Sequence, residues 1–233
     1  MTRVWEPLMT AEELAHVKLT TRPPVGFGDR PVVISVDNYR AVFGDEPQAL
    51  LEGVKQWPYT CGLHGWKALP HIQGVLKAAR AAGIPVIHST ALAEVPNWIE
   101  STRRDPEKTA QEAAAADRQR RQWHIVPELA PLPGELVLYK ATPSVFQGTA
   151  LVAQLIHLRA DTIIVAGNST SGCIRSTVVD GCALRFRMIV PEECVFDRHP
   201  TTHAMNLFDL NQKYADVLPV SDVLRYLEAK AKA

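Results

Sequence analysis

Residues 162–186 read TIIVAGNSTSGCIRSTVVDGCALRF, and the order of residue types in that stretch decides the fold. Residues 162–166 form an apolar, β-branched run, the composition of a strand buried on both faces. Small residues from Gly167 to Gly172 break the run into a turn. Beyond it Ile174, Val178 and Leu184 recur at helical spacing, so the chain passes from strand to helix with Cys173 at the junction. A thiol at a helix N-terminus faces unpaired amide N–H groups and the positive end of the helix dipole, which favour negative charge. Free thiols titrate near ~8.5, and this placement predicts a Cys173 pKa lowered toward neutrality. The competing reading is a small buried residue closing a tight turn.

The same strand-then-helix rhythm extends outward from this stretch. Strands are expected at 32–36, 85–89, 136–139, 162–166, 187–190 and 217–220, and helices at 65–82, 149–159, 173–186, 202–214 and 221–232. Such alternation predicts an α/β chain: a three-layer α/β/α sandwich around a mostly parallel six-stranded, Rossmann-like sheet. In these folds ligands gather beyond the carboxyl ends of the strands. Residues 1–30, punctuated by Pro7, Pro23, Pro24 and Gly26, read as an arm, and 31–233 as one domain. An arm with so little apolar content of its own is expected to pack on a neighbouring subunit. The stretch 97–122 holds RRDPEK and DRQRR around an alanine cluster and reads as a solvated helix over the top of the sheet.

Twenty-five basic residues balance 25 acidic ones, so no net field draws the chain to nucleic acid or a membrane surface. The first 20 residues lack an apolar core and carry Glu6, Glu12 and Glu13, unlike a secretory signal, and no apolar run reaches the ~20 residues of a membrane span. A cytoplasmic location is therefore expected, with Cys61, Cys173, Cys182 and Cys194 as reduced thiols. Cys61 and His64 have a C-x-x-H spacing, but no second ligand pair follows, so no metal site is expected there.

Three expected strand ends supply complementary chemistry. VVISVDNYR places Asp37 after the first strand, ELVLYK places Lys140 after another, and Cys173 follows a third. In a parallel sheet all three project from one edge, where a thiol, a carboxylate and an ammonium can serve as nucleophile, proton shuttle and supporting charge. Each alone has a plain explanation, as a turn residue, an exposed strand end or a packed thiol.

These residues also carry a family likeness. GFGDRPVVISVDNY, KATPSVFQGT, AGNSTSGCIRSTVVDG and ECVFDR followed by HAMNLFD resemble the isochorismatase-like cysteine hydrolases, in their N-carbamoylsarcosine and maleamate amidohydrolase branch. The resemblance runs from about residue 26 to residue 220. It implies a catalytic set of Asp37, Lys140 and Cys173, a cis peptide at Asn168–Ser169, and an oxyanion hole from the N–H groups of Ser169 and Cys173. It implies that Arg198 holds a substrate carboxylate, with Asn38 and Arg175 as further substrate-binding candidates; Arg175 alternatively pins neighbouring structure. Pocket walls are expected from Asn38, Trp98, Phe146 and Ser176. Zinc-dependent members carry Asp-x-His after the second strand, whereas PVIHSTALAE has only His88, read here as a packed or hydrogen-bonded strand histidine. No cofactor is implied, and relatives suggest a homotetramer or homodimer.

The implied activity is hydrolysis of the terminal C–N bond of a small acyclic amide or N-carbamoyl acid, with ammonia as the leaving group. Two alternatives stand beside it. One is a vinyl-ether hydrolase of the true isochorismatase kind, disfavoured because those enzymes lack this cysteine. The other is a catalytically silent binding or scaffold subunit. Biuret-like ureides also present the terminal group such a site needs.

Overall fold

The computed structural model describes residues 2–92 and 121–232. Among them seven strands form one parallel sheet: β1 (Pro31–Val36), β2 (Val86–Ala91), β3 (Leu136–Lys140), β4 (Thr162–Asn168), β5 (Arg187–Pro191), β6 (Val195–Phe196) and β7 (Asp216–Leu218). The spatial order is β3-β2-β1-β4-β5-β7, with β6 beside the end of β4. The helices are α1 (Ala11–Thr20), α2 (Arg40–Phe43), α3 (Leu50–Gly53), α4 (Leu63–Ala81), α5 (Leu151–His157), α6 (Arg175–Ala183), α7 (Pro200–Lys213) and α8 (Val220–Lys230). The chain builds from β1 outward to β2 and β3, then returns to begin again at β4. The topological switch point therefore lies between β1 and β4, where ligands of such sheets are bound.

The two central strands show why this sheet needs helices on both faces. Val32, Ile34 and Val36 of β1 join Ile163 and Val165 of β4 in one apolar cluster, with Leu155, Val178 and Leu207 from α5, α6 and α7. Val33, Ile164 and Ala166 point the other way, to Ile72 and Leu76 of α4 and Val223 and Leu227 of α8. Successive strand residues alternate faces, so a strand covered on both sides must be apolar throughout. Each fully buried Val, Ile or Leu contributes about 1.5–3 kcal/mol. A polar face on β1 or β4 would therefore cost the fold its centre.

The sandwich predicted from the sequence is present, with three differences of detail. The sheet has a seventh strand, β6, too short to show as an apolar run. The helix expected from residue 173 begins as α6 at Arg175, after a one-turn wide helix over Thr170–Ile174 in which Ile174 N–H reaches back to Ser169 O (3.1 Å). Finally, the arm contains α1, capped by a reciprocal Thr10–Glu13 pair. That helix buries no residue, but the arm around it is stitched to this chain's own body. Trp5 is buried in the main core beside Phe208, Arg3 reaches Val217 O and Glu192, and the N–H groups of Val25 and Gly26 donate to Asp216. Residues 93–120, most of the expected solvated helix, and with them Trp98, lie outside the described residues. Arg121, at its end, pairs with Asp45 (2.8 Å).

Candidate active site

In-register parallel pairing brings the strand ends to one edge. Val36 lies opposite Ser89 and Gly167, and Ala91 lies opposite Lys140. Asp37 follows β1 directly and takes φ +55°, a left-handed conformation uncommon outside glycine. Four contacts hold it there. Its N–H donates to Ser89 O (3.1 Å), its carbonyl accepts from Asn168 Nδ2 (2.5 Å), Oδ1 accepts from Ser89 Oγ (2.9 Å), and Oδ2 pairs with Lys140 Nζ (2.7 Å). The carboxylate is 1 % exposed, and the ion pair compensates its burial.

Lys140 joins the other two members. Its Nζ lies 3.4 Å from Cys173 Sγ and 3.1 Å from Thr142 O, besides the contact to Asp37. Burial works against its charge, but the Asp37 carboxylate and the Cys173 sulfur outweigh burial and hold the ammonium above the ordinary lysine value. Cys173 also shifts upward, which for a thiol favours the neutral form. Burial, followed by the Asp37 charge and only partly offset by Lys140, pushes its thiol up to about 12. The expectation of a preformed thiolate is therefore corrected: the desolvation that accompanies burial exceeds what a helix end supplies. The Asp37 carboxylate shares Lys140 with the thiol, which sets it near the sulfur as a candidate acceptor for its proton.

Close backbone approach makes this convergence possible. Gly167 has φ +127°, and a Cβ there would fall 2.0 Å from Val36 O. Only glycine lets β4 run this close to β1 before the chain turns. The next peptide, Asn168–Ser169, is cis. Ser169 O then accepts from Gly172 and Ile174 N–H, which rolls the turn up under Cys173.

A polar shell supports the turn. Thr170 Oγ1 meets His203 Nδ1 at 2.8 Å, and burial lowers His203 to about 4. Ser171 is bound to Asp197. Over the site, the segment after residue 121 lies along residues 38–41, with Val126 N–H donating to Asn38 O and Arg40 N–H to His124 O. It carries Trp123, which stands edge-on to Tyr39 at 4.9 Å and lies 5.9 Å from Tyr59. Arg198 Nη2 donates to Tyr59 O (2.6 Å). Burial raises the Tyr39 phenol well above its ordinary value. The charges of Asp37 and Cys173 add to that rise, and Arg198 opposes it. Tyr39 is therefore held as a neutral phenol.

The remaining sequence candidates divide. Arg198 stands beside this aromatic group, half-buried. Arg175 turns away, pairing with Asp209 (2.5 Å) and Asn206 (3.2 Å) as a clasp between α6 and α7, the alternative of the two roles expected for it. Asn38 is 1 % exposed and donates to Ser35 Oγ (3.0 Å), which makes it a support beneath Gly167. Phe146 is a core residue stacked on Phe186, and Ser176 is half-buried in α6. His88, 0 % exposed, is bonded to Glu135 Oε2 (2.9 Å) as a strand histidine, and Glu135 also binds Arg80. Cys61 is packed in the core, its thiol pushed up to about 12 by burial. A separate cavity of about 270 Å³ opens behind the turn, between His64, Lys67 and His71 on α4 and His203 on α7; none of Asp37, Lys140 and Cys173 lines it.

Sequence reasoning did not single out Ser89, Asp197, His203 or Tyr39, and it named Asn168 only for the cis peptide that the structure contains. Ser89 was the most findable, as the hydroxyl that ends the strand expected at 85–89. The others depend on tertiary placement.

Comparison with known proteins identifies the family and the fold. The Isochorismatase domain model matches residues 63–222. An N-carbamoylsarcosine amidase of Arthrobacter is 34 % identical over 210 residues, covering 88 % of this chain and 74 % of that protein. A maleamate amidohydrolase of Pseudomonas putida is 33 % identical over 210 residues, covering 87 % and 89 %. Among solved structures, a cysteine hydrolase from Pseudomonas syringae pv. phaseolicola superposes with TM-score 0.71 at 20 % identity, covering 90 % of this chain and 99 % of that one. An N-carbamoylsarcosine amidase from Thermoplasma acidophilum gives 0.60 at 22 %, covering 82 % and 97 %. The structures speak for the fold alone. With the domain model matching more than half of its length, and two relatives above 30 % identity along most of theirs, the chain belongs to the isochorismatase family.

Proposed function

We propose that this protein is a cysteine amidohydrolase that cleaves the terminal C–N bond of a small acyclic amide or N-carbamoyl carboxylic acid. The observation that carries the reading is Lys140 Nζ standing between Asp37 Oδ2 (2.7 Å) and Cys173 Sγ (3.4 Å) in a buried site. The two relatives, whose names give a carbamoyl amide and a maleic half-amide as substrates, support the substrate class.

The chemistry follows from the protonation states. Cys173 rests as a thiol, so its proton leaves as the sulfur attacks, and Asp37 receives it. Lys140 stabilises negative charge on sulfur and carboxylate together. A C–S bond forms, and the carbonyl oxygen becomes an oxyanion against the N–H groups of Ser169 and Cys173. Losing one such donor typically costs about 3 kcal/mol of barrier. Asp37 then returns the proton to nitrogen, the C–N bond breaks, and ammonia departs. Water, giving its proton to the same carboxylate, cleaves the thioester and restores the thiol. Arg198 holds the carboxylate at the far end of the substrate. Assembly as a homodimer or homotetramer in the cytoplasm belongs to the same proposal.

The test is ammonia release from maleamate, N-carbamoylsarcosine, N-carbamoylglycine, biuret and nicotinamide, with wild type and Cys173→Ala. Turnover of an acyclic acid, lost in the variant, is the expected result. Turnover of biuret alone would move the substrate class away from acids and remove the role of Arg198. Silence across the panel, with a Cys173 inert to iodoacetamide, would replace the enzyme by the scaffold reading.

A further inference from the structure

Asp197 follows the two-residue strand β6 and is 5 % exposed. Its carboxylate accepts three hydrogen bonds from neutral donors. Oδ2 takes Ser171 N–H at 2.8 Å and Ser171 Oγ–H at 2.7 Å, while Oδ1 takes Arg198 N–H at 2.8 Å. Ser171 lies midway between Ser169 and Cys173, the two residues whose N–H groups form the proposed oxyanion hole. Arg198 carries the guanidinium proposed for the substrate carboxylate, with its Nη2 anchored on Tyr59 O. β6 adds a second restraint at the same place, pairing Val195 with Gly167 and Phe196 with Asn168, immediately before the cis peptide.

We infer that Asp197 is a positioning residue whose carboxylate fixes the distance between the Cys173 turn and Arg198, and thereby the length of acid amide the site accepts. The inference rests on the reading of Arg198 and Cys173 given above. Hydrogen bonds to an ionised acceptor are about twice as strong as neutral ones, so one carboxylate can hold both ends of the site at fixed spacing. A reacting group misplaced by about 1 Å costs ~10²-fold in rate, so this spacing acts on turnover as well as on binding.

Asp197→Asn keeps the volume but replaces one acceptor oxygen by a donor, so Ser171 or Arg198 N–H loses its partner. We expect a folded protein whose kcat/KM falls about 10- to 100-fold, with kcat lowered and KM raised together. A second readout does not need turnover: the ratio of Cys173 alkylation rates with iodoacetate and iodoacetamide, which reports carboxylate guidance by Arg198. In wild type the ratio should exceed that of Arg198→Gln, and Asp197→Asn should bring it down to the Arg198→Gln value. Ser171→Ala removes one donor on the turn side, so kcat should fall while the ratio holds.

A folded Asp197→Asn with wild-type kcat, KM and ratio overturns the inference. So does an Arg198→Gln ratio equal to wild type. Should Asp197→Asn fail to fold, Ser171→Ala carries the test, and an unchanged kcat (or, without turnover, an unchanged iodoacetamide rate) overturns the inference. If wild type hydrolyses no amide yet the ratio still depends on Asp197, the positioning role stands and the substrate reading alone falls.

Discussion

Two neighbouring strands of the sheet each end in a short helical turn bearing a cysteine, and the two turns differ in a way that separates chemistry from packing. β4 leads to Cys173 and β5 leads through Glu192–Cys194 to Cys194. Both thiols are pushed upward, first by burial. Cys194 is 0 % exposed in the core beside Phe196, and the charge that touches its titration is Glu193, which raises it further. Cys173 instead has the ammonium of Lys140 at 3.4 Å from its sulfur, and that ammonium is ion-paired with the buried Asp37 carboxylate. A cysteine at a strand end is therefore common ground, and reactivity comes from what the adjacent strands bring to it.

The strongest way to break this contrast is to exchange its terms. Cys173→Ala should reduce amide turnover by about 10⁴-fold or more. Cys194→Ala should leave kcat/KM unchanged and cost on the order of 1 kcal/mol in urea unfolding. Equal losses in the two variants would show that the turns share one role. Next in size, Asp37→Asn should lower kcat by about 10²- to 10⁴-fold with the fold retained, since it removes the proton acceptor but preserves shape. Wild-type activity in that variant would hand the base to another group. Lys140→Met should cut turnover and also destabilise the fold by about 3 kcal/mol, because it leaves Asp37 buried without its partner. Activity lost at unchanged stability would mean the ion pair is not the buried contact described.

Finer measurements sharpen the comparison further. Iodoacetamide alkylation of Cys173 should rise steadily between about pH 7 and pH 10 with no plateau, given a thiol at about 12, while Cys194 stays inert. A plateau near neutrality would restore the preformed thiolate. The smallest effect concerns His203, which braces the Cys173 turn through Thr170. Its folded value of about 4 lies below the free value of 6.5, so the unfolded chain binds the extra proton first. Stability should therefore fall as pH drops from 6.5 toward 4, and His203→Gln should make that slope shallower in urea midpoints. An unchanged slope would remove His203 from the account.

What could be read in the sequence was the part written in local periodicity. The apolar runs at 32–36 and 162–166 announce doubly covered strands, and topology then carries Asp37, Lys140 and Cys173 to one edge. The direction of the Cys173 shift was not legible, because desolvation depends on neighbours distant in the chain. Trp5 looks like an isolated aromatic in a polar arm, and its partner Phe208 lies two hundred residues on. The Thr10–Glu13 capping box was written plainly, but α1 buries no face, so no apolar stripe drew attention to it. β6 is two residues long, below the length at which alternation means anything, yet it delivers Asp197 and Arg198.

Gly167 sets a boundary for anyone who would redesign this edge of the sheet. Position 167 has an alphabet of one letter, because the space a side chain needs is already held by the carbonyl of Val36. Redesign can vary the aromatic pair Tyr39 and Trp123 and leave the crossing of β1 and β4 untouched. Libraries that randomise 167 would consist mostly of chains unable to bring Asp37 and Cys173 together. Those confined to the aromatic pair would keep the Asp37–Lys140–Cys173 arrangement intact.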